Sequence, residues 1–302
     1  MTAALLAAAL AVGALLAVQA SVNLQLGAAV RSPYGAATLQ IGLATVLVAV
    51  LAAATGALLW PGGVTWWHLL GGLASPFYVT AGILLFPRLG AVVAVGLFVT
   101  GQVLASLVLD LGGLLDVPRR SWSVALMVGA AAVLAGITAV VRGQRAAGPG
   151  RTGRGWLALG VLAGAALPVQ GAVNALLRRD LGEPLAVGLV SFVVATAAIV
   201  VALLVLLALR RTPAPRLAGL RALPWWGWLG GVCAAAYVVA TFLLIPRVGA
   251  AATVAFTVTG QQLASAAVDH FGLFRLPRRP LTATRGGGLA LLVGSSLLVQ
   301  LG

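Results

Sequence analysis

Lysine is absent from this 302-residue chain, cysteine occurs once, histidine twice, and acidic side chains number five. Each shortage closes a class of chemistry. Without lysine a Gly-x-x-x-x-Gly-Lys phosphate loop cannot be written. Cys233 alone forms no internal disulfide, and with only His68 and His270 beside it there is no Cys/His metal set. Neither a Gly-x-Ser-x-Gly elbow nor a His-Glu-x-x-His zinc motif is present. Chemistry by a nucleophile, metal or nucleotide has no visible carrier, so neither an enzyme nor a cofactor is expected. Charged residues make up only 8%, whereas a soluble surface draws on roughly a quarter of its residues.

What fills the chain instead is apolar. Hydrophobic residues reach 61% and mean hydropathy is +1.10. The Ala/Leu/Val/Gly runs supply about ten stretches of the ~20 residues a bilayer-crossing helix needs. They lack the every-second-residue alternation of a membrane barrel strand. The expected fold is an all-α integral membrane protein of ten transmembrane helices, with the lipid bilayer as its first partner. The net charge of +14 comes from nineteen arginines. These sit in short gaps between apolar runs, which points to membrane topology and away from nucleic acid. Val18-Gln19-Ala20 resembles a signal-peptidase site. No basic segment precedes it, however, and the same stretch recurs around Gln170, so the first helix is expected to be retained.

Punctuation by Arg, Pro and Gly predicts spans near 3–26, 35–60, 66–87, 90–110 and 121–141, then 155–177, 184–209, 225–246, 249–269 and 283–301. The chain divides into 1–141, a Gly/Arg-rich cytoplasmic linker 142–154, and 155–302. The two large parts are copies. Gln19, Val22, Asn23 and Pro33 return 151 residues later as Gln170, Val173, Asn174 and Pro184. From the third helix the offset is 159, because the second copy carries eight more residues in an Arg/Pro-rich loop, Arg210 to Leu223. In that register 66–120 and 225–279 match at 28 of 55 positions, including Trp, Pro and polar residues that shared composition would not reproduce.

Five spans per copy is an odd number, so the second copy enters the membrane from the opposite side. Inverted repeats of this kind are an architecture of transporters. Loops after odd-numbered helices hold fourteen arginines, counting Arg285, against five in the others. This places the odd loops in the cytoplasm and both termini outside.

Polar groups inside a bilayer are costly and face protein or water. Gln19 and Asn23 share a helix face, as do Gln170 and Asn174. Gln102, Ser106 and Asp110 form a stripe repeated as Gln261, Ser265 and Asp269. Thr100, Gln102 and their copies Thr259 and Gln261 lie near mid-membrane, while Asp110 and Asp269 fall about 30 Å from the start of their helices, at its edge. Tyr78 and Tyr237 stand about twelve residues inside their spans, and their hydroxyls require partners. Two readings stand: the amides tie helices together, or these residues line a cavity between the copies. The two aspartates read as interfacial caps or arginine partners before coupling carboxylates. Trp66, Trp67, Trp225 and Trp226 read as interfacial anchors, and Gly71-Gly72, Gly230-Gly231, Gly101 and Gly260 as points of close helix approach.

At its repeated Gln-x-x-x-Asn, Pro-Arg-x-Gly-Ala, Thr-Gly-Gln-x-x-Ala-Ser and Pro-Arg-Arg signatures the chain resembles the drug/metabolite transporter superfamily, in particular its YdcZ-type branch in the fused ten-helix form. The resemblance implies that helices 1, 3, 4, 6, 8 and 9 surround a central cavity, with helices 5 and 10 peripheral. Small multidrug-resistance relatives carry a buried Glu on the first helix; Gln19 and Gln170 are found here, so a neutral or zwitterionic metabolite fits better than a proton-exchanged cation. The expected function is a secondary transporter, an exporter of a small polar or amphipathic metabolite working by alternating access. A passive channel or facilitator is the alternative, followed by a non-transporting membrane subunit. A homo-oligomer is compatible with the pattern.

Overall fold

The computed structural model describes residues 2–58, 62–119, 121–146, 153–248 and 250–301. Residues 147–152 of the linker, Arg120 of the first Pro-Arg-Arg motif, Gly249 and Gly302 lie outside the described residues.

The described chain is helical, with no strand among its residues. The first five helices are α1 (Thr2–Val30), α2 (Pro33–Ala54), α3 (Ala74–Leu89), α4 (Ala91–Gly112) and α5 (Val124–Ala146). Then come α6 (Arg154–Leu181), α7 (Pro184–Ala208), α8 (Leu229–Val248), α9 (Ala250–Phe271) and α10 (Ala283–Leu301). Among the described residues, seven helical spans are long and apolar enough to cross a membrane. Large apolar side chains such as Val46, Val50, Val201 and Leu204 point outward from α2 and α7, a distribution that suits a lipid surface. This is a multi-pass membrane protein.

Local chemistry explains the boundaries. Ser32 accepts a hydrogen bond from Gly35 N and precedes Pro33 in the first turn of α2; Glu183 accepts from Leu185 N and precedes Pro184 in the first turn of α7. A side-chain acceptor followed by proline is a strong helix start. The residue just before each cap is left-handed, Arg31 at φ 53° and Gly182 at φ 74°, so the same turn is built twice, once with glycine. The spans expected from Trp66 and Trp225 begin not as α-helix but as 3-10 segments, Trp66–Leu73 and Trp225–Trp228. Gly71-Gly72 lie in the first of these segments and are poor helix formers, while Gly230-Gly231 lie in the first turn of α8; both pairs let other helices approach closely.

Packing joins the two copies throughout. Helix α1 lies along α9 and α8, α6 lies along α4 and α3, α5 pairs with α10, and α2 with α7. The largest buried cluster centres on α3 and α4, with Leu85, Phe86, Val92, Val95, Phe98 and Val99 essentially inaccessible. The N-terminal end of α4 meets the C-terminal end of α9, where Asp269 accepts hydrogen bonds from Ala91 N and Val92 N.

Candidate functional site

Glycine sets how closely the copies meet. A Cβ on Gly13 would sit 1.9 Å from Thr257 O, and one on Gly260 would sit 1.9 Å from Leu10 O. On the other side a Cβ on Gly164 would sit 2.0 Å from Phe98 O, and one on Gly101 1.9 Å from Val161 O. These are the same four positions under the 151 and 159 offsets, so one backbone contact is made twice, between α1 and α9 and between α6 and α4. No side chain fits at any of them. Close approach at Gly101 and Gly260 matches expectation. Gly13 and Gly164 complete the pairs and were not singled out, because glycine within alanine-rich runs stands out only once the copies are superimposed.

Between these contacts lie three groups of polar residues. In the first, Gln170 Nε2 donates to Ser75 Oγ (2.9 Å) and Ser191 Oγ (3.3 Å), and Asn174 Nδ2 donates to Ser191 Oγ (3.2 Å). Asn174 Oδ1 lies over Gly71, within 2.3 Å of where a Cβ would stand. The second group is its copy. Asn23 Oδ1 lies over Gly230, at 2.0 Å from such a Cβ, and Gln40 Nε2 donates to Gly230 O at 3.3 Å. Gln19 and Asn23 are buried, and their side-chain oxygens find no partner among the described residues. Ser75, Gln40 and Ser191 escaped the sequence reading. The signal for the latter two was there, since 40 and 191 are related by the 151 offset and are polar in both copies.

The third group is central. Gln261 Nε2 on α9 donates to Tyr78 Oη on α3 at 2.9 Å, with both side chains buried. The Tyr78 ring packs on Phe98 at 4.7 Å between centroids. Its copy Tyr237 behaves differently: Gln102 Nε2 makes no matching bond to it, and Thr257 beside it donates to Val254 O. The difference has a cause in sequence: Phe98 and Thr257 are equivalent positions. Tyr237 has a hydroxyl-bearing side chain beside it within its own half, while Tyr78 faces a ring and turns to Gln261 across the interface. Gln102, the copy of Gln261, is half-buried and its Nε2 has no partner among the described residues. None of the side chains that meet at this centre carries a formal charge.

Other expected site residues are engaged locally. Thr100, Thr259 and Ser265 each donate to a carbonyl of their own helix, Gly96 O, Ala255 O and Gln262 O respectively. Ser106 is half-buried on α4. A groove of about 600 Å³ lies elsewhere, between α4 and α6, where Gly101, Leu104, Ala105, Val161, Ala165 and Val169 give it an apolar lining. None of the twelve expected cavity residues lines it.

Asp269 both caps α4 and pairs with an arginine. It is 1% exposed and accepts from Arg285 Nη2 at 2.8 Å. Arg285, counted above with loop charges, instead occupies the first turn of α10 at 2% exposure and also donates to Arg279 O and Pro280 O. Arg279 in turn donates to Pro87 O. The Pro-Arg-x-Gly-Ala motif of one copy and the Asp and Pro-Arg-Arg of the other are therefore two sides of one lock. Gly90, at φ 77°, lets them close: a Cβ there would stand 3.0 Å from Asp269 Oδ2 and 2.8 Å from Arg279 Nη1.

A family model described as "Putative inner membrane exporter, YdcZ" matches the chain twice, over residues 4–139 and 155–298. The chain belongs to this family. The YdcZ-type exporter model thus covers both copies, and an exporter family is not an enzyme class. No curated protein matches the chain. A solved structure described as "Crystal structure of protein" superposes with a TM-score of 0.61 over 98% of this chain and 97% of that chain, at 18% identity. At that identity the likeness is one of fold.

Proposed function

We propose that the chain is a secondary carrier that exports a small, uncharged or zwitterionic, hydrogen-bonding metabolite by alternating access. Ten membrane spans would form two five-helix repeats, 1–141 and 155–302, inverted across the bilayer. The observation that carries this reading is the Tyr78–Gln261 bond. It joins the two copies, would lie near mid-membrane, and has mirror partners, Tyr237 and Gln102, that are not engaged in the same way. A buried, uncharged donor–acceptor pair where the two copies meet supports a cavity wall for a neutral, hydrogen-bonding solute.

Further support comes from the doubled glycine contacts, which give each half a matching surface against the other. The wall would be built from Gln19, Asn23, Tyr78, Thr100, Gln102 and Ser106, with Gln170, Asn174, Tyr237, Thr259, Gln261 and Ser265. Ring faces with few hydrogen-bonding groups suit a small-molecule pocket. Orientation follows from charge. Fourteen arginines, counting Arg285, lie by the odd-numbered loops and five by the even-numbered ones. The odd loops would face the cytoplasm and both termini the outside.

Counterflow tests the reading. Proteoliposomes loaded with unlabelled solute should accumulate labelled solute transiently. Equilibration without overshoot, for every solute that passes, would identify a passive facilitator instead.

A further inference from the structure

The copies also diverge along the seam between α9 and α10. Gln262 is fully buried, and neither end of its amide meets a partner among the described residues. The same holds for Ser296 Oγ, also at 0% exposure, and for Nε of the buried Arg285. At the equivalent places in the first copy stand Val103, Ile137 and Leu126, all buried and apolar. The fold can therefore be built with apolar side chains at these three places, and in the second copy all three are polar.

Periodicity aligns these groups. Gln262 lies seven residues before Asp269 on α9, two turns along the same face and about 10 Å deeper in the membrane. Ser296 lies eleven residues after Arg285 on α10, three turns along the same face and about 16 Å deeper. The Asp269–Arg285 pair holds the two faces together at the odd-loop end, and from it both polar positions run inward. Gln262 and Ser296 each offer a donor and an acceptor. A neutral occupant that also gives and takes hydrogen bonds satisfies them, and leaving them bare in hydrocarbon is expensive.

We propose that the α9–α10 seam is a water-binding site of the second copy alone, a short file of water reaching from the Asp269–Arg285 pair toward the middle of the membrane. Its role is to solvate that pair when the odd-loop face opens, so that parting the ions does not strand two charges in a dry interior. The role rests on the carrier reading; the hydration does not.

Paired cysteines separate the two. In a Cys233→Ser background, Ser296→Cys and Gln262→Cys are compared with Ile137→Cys and Val103→Cys, the same positions in the first copy. Thiols react as thiolates and need water. A small water-soluble thiol reagent should modify the two second-copy cysteines at least tenfold faster than the first-copy pair. Equal rates in the two copies, or no modification at 262 and 296 in protein that elutes and melts as the parent does, would overturn the site. A second variant, Gln262→Val with Ser296→Ile, installs the residues of the first copy. It should melt no lower than the parent and slow counterflow several-fold. Parental counterflow in this variant would overturn the gating role while the labelling result stands. A parent without counterflow would instead overturn the carrier reading, leaving hydration judged by labelling.

Discussion

Tyr78 and Gln261 are 183 residues apart in sequence and 2.9 Å apart in space, the hydroxyl of one helix accepting from the amide of another where the two copies meet. Tyr78 crosses the interface where Phe98 offers it only a ring, while Tyr237 has the hydroxyl side chain Thr257 at the equivalent place and makes no matching bond to Gln102. Two substitutions follow from that difference. Tyr78→Phe leaves the buried Gln261 amide without its partner and should lower stability by about 1–2 kcal/mol. Phe98→Thr gives Tyr78 the hydroxyl neighbour its copy has, and should weaken the cross-repeat bond with less loss. Thermal melting ranks the two, and counterflow in proteoliposomes should change in both. If Tyr78→Phe melts and transports as the parent does, the bond is incidental.

The glycine contacts make a sharper prediction about stability. Gly13, Gly101, Gly164 and Gly260 each stand where a Cβ would overlap a backbone carbonyl of the other copy. Backbone cannot swing aside as a side chain can, so the helices must part. Alanine at any of the four should cost about 1–3 kcal/mol. Gly42 and Gly294 have nothing within 4 Å of such a Cβ, and alanine there should be neutral or slightly stabilising, since glycine is the poorer helix former. Melting temperatures of the six variants in one detergent settle it; a loss at Gly42 equal to that at Gly101 would mean the contacts are not what limits approach.

Helix positions were legible because a helix in lipid must be apolar along its whole length, and Pro33, Pro184 and the arginines interrupt that pattern sharply. The duplication was legible because Trp, Pro, Gln and Asp recur in register. Orientation of side chains around each helix was not. A helix apolar on every face carries no amphipathic stripe, so position along the axis can be read and direction cannot. Hence Gln261 was placed at mid-membrane, while its partner on α3 was not named as such. Arg285 lies inside the expected span 283–301 yet was counted with the loop charges; Thr282 Oγ1 accepts from Arg285 N and starts α10 there, and the side chain turns inward to Asp269. Gln40 and Ser191 were passed over because the copies keep polarity at that place and change the residue.

Topology can be checked without knowing the substrate. A reporter active only in the cytoplasm should be silent when fused to Gly302, and active when inserted between Pro213 and Ala214 in the exposed arginine-rich loop. The opposite pattern would invert the orientation and put the Asp269–Arg285 pair at the outer face, while leaving the helix packing unchanged.

The Asp269–Arg285 pair invites a double-mutant cycle, because its two members are asymmetric in what else they hold. Asp269 also receives the first two N–H groups of α4, so its loss leaves both the helix start and Arg285 unsatisfied. Arg285 also reaches two carbonyls, and the equivalent residue in the first copy is leucine, a buried apolar side chain that the same place in the fold accommodates. Arg285→Leu alone strands a buried carboxylate and should cost about 3–5 kcal/mol. Asp269→Asn alone keeps an acceptor for α4 but leaves the guanidinium uncompensated, and should cost a similar amount or slightly less. The double variant removes both charges and keeps the cap, so its loss should fall well short of the sum, with a coupling of about 1–3 kcal/mol. Melting and denaturant titration in detergent give the four corners. Simple additivity would mean the two side chains do not sense each other, and the lock between the Pro-Arg-x-Gly-Ala and Pro-Arg-Arg motifs would then rest on Arg279 and Pro87 instead.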